Sequence, residues 1–169
     1  LLCIRSLLQS VYSDFEIIII DQSTTPQYIT PKSPLANRKV KYIWTTQRGK
    51  TKALNVGLRT ARGDIYAFTD DDCVVDRTWI SEMSLSYKSN PHIAGVFGNT
   101  YPYQPNRHVG NICPGTFITN ECEIFRHHDI LHYRHLAPGN NMSVRKSTFQ
   151  QIGTFREWLG PGSIAIAGG

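Results

Sequence analysis

The stretch RGDIYAFTDDDCVVDRTWI, residues 62–80, runs from a buried strand through a triplet of carboxylates to the start of a helix. Gly63 stops the preceding helix. Asp64 to Thr69 is short, apolar and β-prone, as expected of a strand covered on both faces. It leads directly into Asp70-Asp71-Asp72, with Asp76 four residues on. Three carboxylates at a strand end repel one another unless a cation neutralises them. Hard divalent ions such as Mn²⁺ or Mg²⁺ take oxygen ligands and keep coordination positions open for phosphate. Side chains of an extended segment alternate, so Asp70 and Asp72 face the same side and could hold one metal, leaving a carboxylate for a ribose hydroxyl. The plainer alternative is an acidic lead-in to the next helix, which the helix dipole favours.

Upstream, Thr51 to Arg62 sets Ala53, Leu54, Leu58 and Ala61 at helical spacing, after a turn at Gln47-Arg48-Gly49-Lys50. Val40 to Trp44 alternates like an outer strand. Pro26 to Arg38 reads as a loop. Phe15 to Ile20 is a second buried strand, ending in Asp21-Gln22, and ligands of open α/β sheets gather at such strand ends. Leu1 to Ser10 is an amphipathic helix. Downstream, a helix over Thr78 to Ser89 ends at Asn90-Pro91, a strand follows over Ile93 to Asn99, and residues 109–135 are mixed. Pro138-Gly139-Asn140-Asn141 has turn chemistry, and a short helix covers Ser147 to Ile152. The β-α-β-α-β order predicts one α/β domain over residues 1–169, with a mostly parallel central sheet and helices on both faces.

A chain of 169 residues with 40% hydrophobic and 18% charged residues suits one folded domain. The excess of 18 basic over 13 acidic residues suits an anionic ligand or an anionic membrane face, and dispersed surface lysines would give the same number. No basic stripe with interleaved aromatics marks a nucleic-acid reader. Cys3, Cys73, Cys113 and Cys122 show no metal-binding spacing and are expected to be reduced thiols in a cytosolic protein. His128 and His132, spaced like a zinc clamp within a group including His127 and His135, lack the Glu of a metalloprotease motif and are expected at the surface. No apolar run approaches the roughly 18 residues of a membrane span.

Three stretches taken together, SDFEIIIIDQST (13–24), QRGKTKALNVGLRTARGDIYAFTDDDCVVDRTWI (47–80) and APGNNMSVRKSTFQQIGTFRE (137–157), resemble family 2 glycosyltransferases of the GT-A fold. The resemblance covers most of the chain in the family's order. It implies a Rossmann-like GT-A sandwich, a nucleotide-sugar donor (a UDP-sugar first), a saccharide or lipid-linked acceptor, Mn²⁺ or Mg²⁺, and inversion at the anomeric carbon. On it, Asp70-Asp71-Asp72 is the D-x-D element: Asp72 and Asp70 hold the metal, and Asp70 and Asp71 lie against the nucleotide sugar. Asp21 contacts the nucleoside. Gln22 stands where a second acid is usual, which leaves the base identity open. Lys50 lies near the nucleotide, and Gly139, Asn140 and Asn141 near the donor sugar or acceptor.

The family's first strand is expected before Leu1, and its catalytic base just beyond Gly169, with Glu157 and Glu123 poor substitutes. The chain is therefore expected to be truncated at both ends, inactive alone and of low stability. The whole enzyme is expected to build polysaccharide or glycolipid in the cytoplasm, at the inner face of the plasma membrane if flanking segments attach it. A non-catalytic nucleotide- or carbohydrate-binding domain is the alternative.

Overall fold

A computed structural model describes residues 1–27, 29–103, 115–120 and 139–159 of the chain. Its elements run α1 (Leu2–Leu8), β1 (Ile17–Asp21), a 3-10 turn (Pro34–Ala36), β2 (Val40–Trp44), α2 (Lys50–Thr60), β3 (Ile65–Phe68), α3 (Trp79–Ser89), β4 (Gly95–Phe97), β5 (Met142–Arg145) and α4 (Lys146–Ile152).

The α/β class expected from the sequence is observed. β1 and β2 pair in parallel, from Ile17 opposite Val40 to Asp21 opposite Trp44. β3, β5 and β4 form a separate antiparallel sheet with β5 in the middle. The expectation of a mostly parallel sheet therefore holds for β1–β2 and is corrected for the rest. β5 is the reason. Its four residues follow a Pro-Gly-Asn-Asn turn and include Ser and Arg, so local reading left it unassigned. It is a strand because it finds two partners at once. The 3-10 turn at Pro34–Ala36, in the stretch read as loop, starts on Ser33, whose hydroxyl accepts from Leu35 N at 3.2 Å.

Cys3 and Leu7 of α1 bury against Ile17, with Leu8, Phe15, Ile19, Val40, Val75, Trp79 and Ile80 around them. Burial pushes the Cys3 thiol up to about 11, and the nearby Cys73, Asp71 and Asp72 act in the same direction. Cys3 and Cys73 are free thiols, as expected, while Cys113 and Cys122 lie outside the described residues. Under the second sheet, the rings of Tyr66, Phe68, Phe149 and Phe155 pack with centroids 5.3–6.3 Å apart. Ser143, fully buried in β5, hydrogen-bonds Tyr87 Oη of α3 at 3.0 Å. Arg145 donates to the carbonyls of Ile93 at 2.7 Å and Tyr87 at 3.0 Å, its guanidinium over the Tyr87 ring, so α3 and β4 are locked to β5 by both ends of one strand.

No helix among the described residues is long and apolar enough to cross a membrane.

Candidate functional site

The acidic triplet sits two residues beyond the end of β3. Because Phe68 pairs with Met142 in antiparallel register, and Phe97 pairs with Met142 on the other side, the ends Thr69-Asp70, Asn140-Asn141 and Gly98-Asn99 share one edge of the sheet. Asp70 and Asn141 are far apart in sequence; the β3–β5 pairing brings the ends that carry them to one edge.

The end of β1 is joined to the same edge through α2. Gln22 Nε2 donates to the carbonyls of Gln47, at 2.6 Å, and Gly49, at 3.1 Å. This pins the turn ahead of α2. Gly49 there has φ 115°, a conformation L side chains avoid, and Lys50 follows as the first helical residue. Lys50 Nζ then reaches both carboxylate oxygens of Asp70, at 2.7 and 3.0 Å. Gln22, Lys50 and Asp70, named separately from the sequence, are thus one connected chain from β1 through α2 to β3.

Asp21 turns into its own network. Its Oδ2 accepts from Tyr42 Oη at 2.5 Å and its Oδ1 from Ser23 N at 2.8 Å. Desolvation works against ionisation of Asp21, but the bonds from Tyr42 and Ser23 outweigh it and hold the carboxyl below the usual carboxylate range. Asp21 is therefore a fixed anion. The amide nitrogen of Gln22 is committed to the turn.

Asp71 and Asp72 are exposed, and Asp72 Oδ1 has a 3.8 Å contact from the Cys73 thiol. Asp76 belongs to another structure. Its Oδ1 accepts from Thr78 N and Oγ1, both at 2.8 Å, a turn that leads into α3. Those bonds, the backbone one first, hold the Asp76 carboxyl below its ordinary range. The helix lead-in read as the alternative for the whole acidic cluster thus applies to Asp76.

Asn140 and Asn141 are used by the fold itself. Asn141 Oδ1 accepts from Trp79 Nε1 at 2.8 Å, and its Nδ2 donates to the Asn99 carbonyl at 2.7 Å. Asn140 Oδ1 accepts from Thr100 Oγ1 at 3.2 Å, and its Nδ2 donates to the Gly115 carbonyl at 3.3 Å. They shape the edge beside Asp70, and Gly139 is exposed next to them.

Asn55 was missed by sequence reading. The stripe Ala53, Leu54, Leu58, Ala61 is only half-buried, whereas Asn55 on α2 is 2% exposed. Its Nδ2 donates to the Phe155 carbonyl at 2.8 Å and to Glu157 Oε1 at 3.2 Å, and its Oδ1 accepts from Phe155 N at 3.0 Å. Thr51 Oγ1 adds a 3.3 Å bond to the Glu157 carbonyl. A lone Asn inside an otherwise apolar helix pattern was the available signal. Tyr42 and Trp79 carried none, since a strand Tyr and a helix Trp read as ordinary core formers.

Asp70 and Asp72 carry the carboxylate oxygens that a hard divalent ion takes, but the extended alternation expected of them gives way to a turn, closed by Cys73 N on the Asp70 carbonyl at 3.2 Å. No group of three His, Cys, Asp or Glu side chains among the described residues is arranged to hold a metal. An ion held here would thus need further oxygens from its ligand or from water. His127, His128, His132, His135 and Glu123 lie outside the described residues, as does any residue past Leu159. Two shallow hollows of about 260 and 290 Å³ lie away from this edge, the first among Glu16, Arg38, Lys41 and Arg62 at the opposite end of β1 and β2.

The sequence profile of "Glycosyl transferase family 2" matches residues 1–153. The chain is 30% identical over 99 residues to an uncharacterized glycosyltransferase of Haemophilus influenzae, covering 57% of this chain and 39% of that protein. It is 24% identical over 162 residues to the glycosyltransferase AglE of Haloferax volcanii, covering 93% and 51%. To the O-antigen biosynthesis protein RfbC of Myxococcus xanthus it is 21% identical over 159 residues, covering 92% and 12%. The chain spans about half or less of the length of the curated relatives it matches.

Proposed function

The chain belongs to glycosyl transferase family 2, and on that premise we propose that it carries the donor site of an inverting, metal-assisted transferase that uses a nucleotide sugar. The observation that supports this reading is the chain Gln22–Gly49–Lys50–Asp70, which gathers the ends of β1, α2 and β3 into one polar shelf.

On this reading each residue has a distinct task. Asp21 and the carbonyl oxygen of Gln22 meet the nucleoside. Asp70 and Asp71 face the ribose and the sugar phosphate. Asp70 and Asp72 hold Mn²⁺ or Mg²⁺, whose charge stabilises the departing diphosphate. Lys50 supplies a second positive charge to the phosphates, as a mobile point charge on a flexible stem. The Gly139–Asn141 turn sets the wall where donor sugar and acceptor meet. An inverting transfer also requires a base aligned with the acceptor hydroxyl, and we assign none of these residues to that role.

A UDP-sugar is the first donor to test. The acceptor class is a saccharide or lipid-linked saccharide. The match to a protein named for O-antigen biosynthesis favours a part in building cell-envelope polysaccharide, with the active face in the cytoplasm or at the inner membrane surface.

The test is calorimetric titration of the purified protein with UDP, GDP and dTDP, with and without Mn²⁺, alongside the double variant Asp70→Ala/Asp72→Ala. Metal-dependent binding of one nucleotide, lost in the double variant, is the expected result. Nucleotide or saccharide binding that ignores both metal and the double variant would instead identify a non-catalytic binding domain.

A further inference from the structure

Before any ligand arrives, Asp70 already has a cation. The Lys50 ammonium lies on both of its carboxylate oxygens, at 2.7 and 3.0 Å. The pair is reachable from solvent, with side-chain exposures of 43% and 36%. Lys50 opens an 11-residue helix, so the positive end of the helix dipole adds to its charge near Asp70. The bonds from Gln22 to Gln47 and Gly49 hold the turn that presents it. Neither Asp71 nor Asp72 is ion-paired among the described residues, where the ion pairs are Lys50–Asp70 and Arg62–Glu16.

We propose that Lys50 is a resident counter-ion that competes with the divalent metal for Asp70, so that metal loads together with the nucleotide and not ahead of it. This rests on the donor-site reading above. A unit positive charge about 4 Å from a divalent cation in a water-exposed site weakens the latter's binding about thirtyfold without salt and about tenfold at 0.1 M salt. A diphosphate carries more negative charge than one carboxylate and offers more acceptor oxygens, so it is the stronger partner for an ammonium. Lys has three rotatable donors on a four-carbon stem and can change partners without main-chain movement. When a nucleoside diphosphate enters, the ammonium moves from Asp70 to the phosphate oxygens. The vacated carboxylate then completes the metal site with Asp72. The exchange keeps Lys50 and Asp70 each paired at every stage, and it makes the ligand-free site a poor trap for stray divalent ions.

The experiment is titration of Mn²⁺ into the purified protein without nucleotide, followed by the electron paramagnetic resonance signal of the free ion. It is then repeated with whichever of UDP, GDP or dTDP binds the protein. The variants are Lys50→Gln, Lys50→Arg and Lys50→Gln/Asp70→Asn. Lys50 is exposed and holds no core contact, so circular dichroism of the variants is expected to match the unaltered protein. Without nucleotide, Lys50→Gln is expected to bind Mn²⁺ about ten- to thirtyfold more tightly, the lower figure at 0.1 M salt. Lys50→Arg should show no gain, and adding Asp70→Asn should abolish it. With nucleotide the order should reverse, Lys50→Gln binding the nucleotide and Mn²⁺ more weakly than the unaltered protein. Nucleotide-free affinity in Lys50→Gln equal to or below the unaltered value, while the unaltered protein still binds nucleotide with Mn²⁺, overturns the exchange and leaves the donor site standing. A folded unaltered protein that binds no nucleotide overturns both.

Discussion

The carboxamide of Asn55 pairs with both backbone groups of Phe155, donating to its carbonyl at 2.8 Å and accepting from its amide at 3.0 Å. One side chain thereby takes the part of a neighbouring strand. It fastens the segment that carries Glu157 and Trp158 to α2, one turn from the helix end that bears Lys50. Replacing it with Ala leaves partly buried backbone groups unpaired, which costs up to about 1–3 kcal/mol each. Asn55→Ala is expected to lower stability by about 2–4 kcal/mol. Asn55→Asp, the same shape with an acceptor where Phe155 O needs a donor, should be no better. Chemical denaturation of the three proteins checks this; an Asp variant as stable as the original would show that the pairing contributes nothing.

Gly98 faces Asn141 so closely that a methyl group there would lie 2.7 Å from its Nδ2 and 2.9 Å from its Oδ1. Asn141 cannot yield freely, because both ends of its amide are bonded, to Trp79 and to the Asn99 carbonyl. Gly98→Ala is expected to cost about 1–3 kcal/mol. It should also move Trp79, since the displaced amide releases the indole N–H. A thermal shift together with unchanged tryptophan emission would contradict the second half of that expectation.

Asp21 gives a pH dependence of known sign. Its carboxyl is held below the ordinary range in the folded protein by Tyr42 and Ser23. The unfolded chain therefore binds the proton more readily, and the stabilisation is present above the ordinary aspartate value of about 4 and lost as pH falls through the folded value. Tyr42→Phe removes one of the two bonds. The stability gap between that variant and the unaltered protein should be full at pH 7 and narrow below about pH 4. Urea midpoints measured at several pH values test it, and a gap that widens in acid would reverse the assignment.

The buried Cys3 thiol, pushed up to about 11, is expected to escape alkylation. At pH 8 only about one such thiol in a thousand is ionised, and the thiolate is the reactive form. Peptide mass spectrometry after brief iodoacetamide treatment should find Cys3 unmodified in the native protein and modified in urea. Rapid native labelling would mean that α1 opens readily from β1.

Sequence alone settled the parts that depend on short-range pattern. The run Ile17–Ile20, the strand before Asp70 and the helix from Trp79 each rest on a few adjacent residues whose period or backbone preference is local; the helix expected to stop at Gly63 instead ends at Thr60, where Ala61 turns extended. The family likeness followed from the same stretches, because it is a likeness of local motifs in order. Tertiary structure alone decided the direction of the second sheet, since Met142–Arg145 has no strand pattern of its own and becomes one only between β3 and β4. It also decided which polar residues the fold itself uses. Asn140, Asn141 and Asn55 have the same side chain, and the sequence offers no means of telling a carboxamide that meets a sugar from one that meets a backbone carbonyl. Hydrogen-bond partners are chosen by groups distant in the chain, and the Lys50–Asp70 pair exists because two separate elements end at one edge.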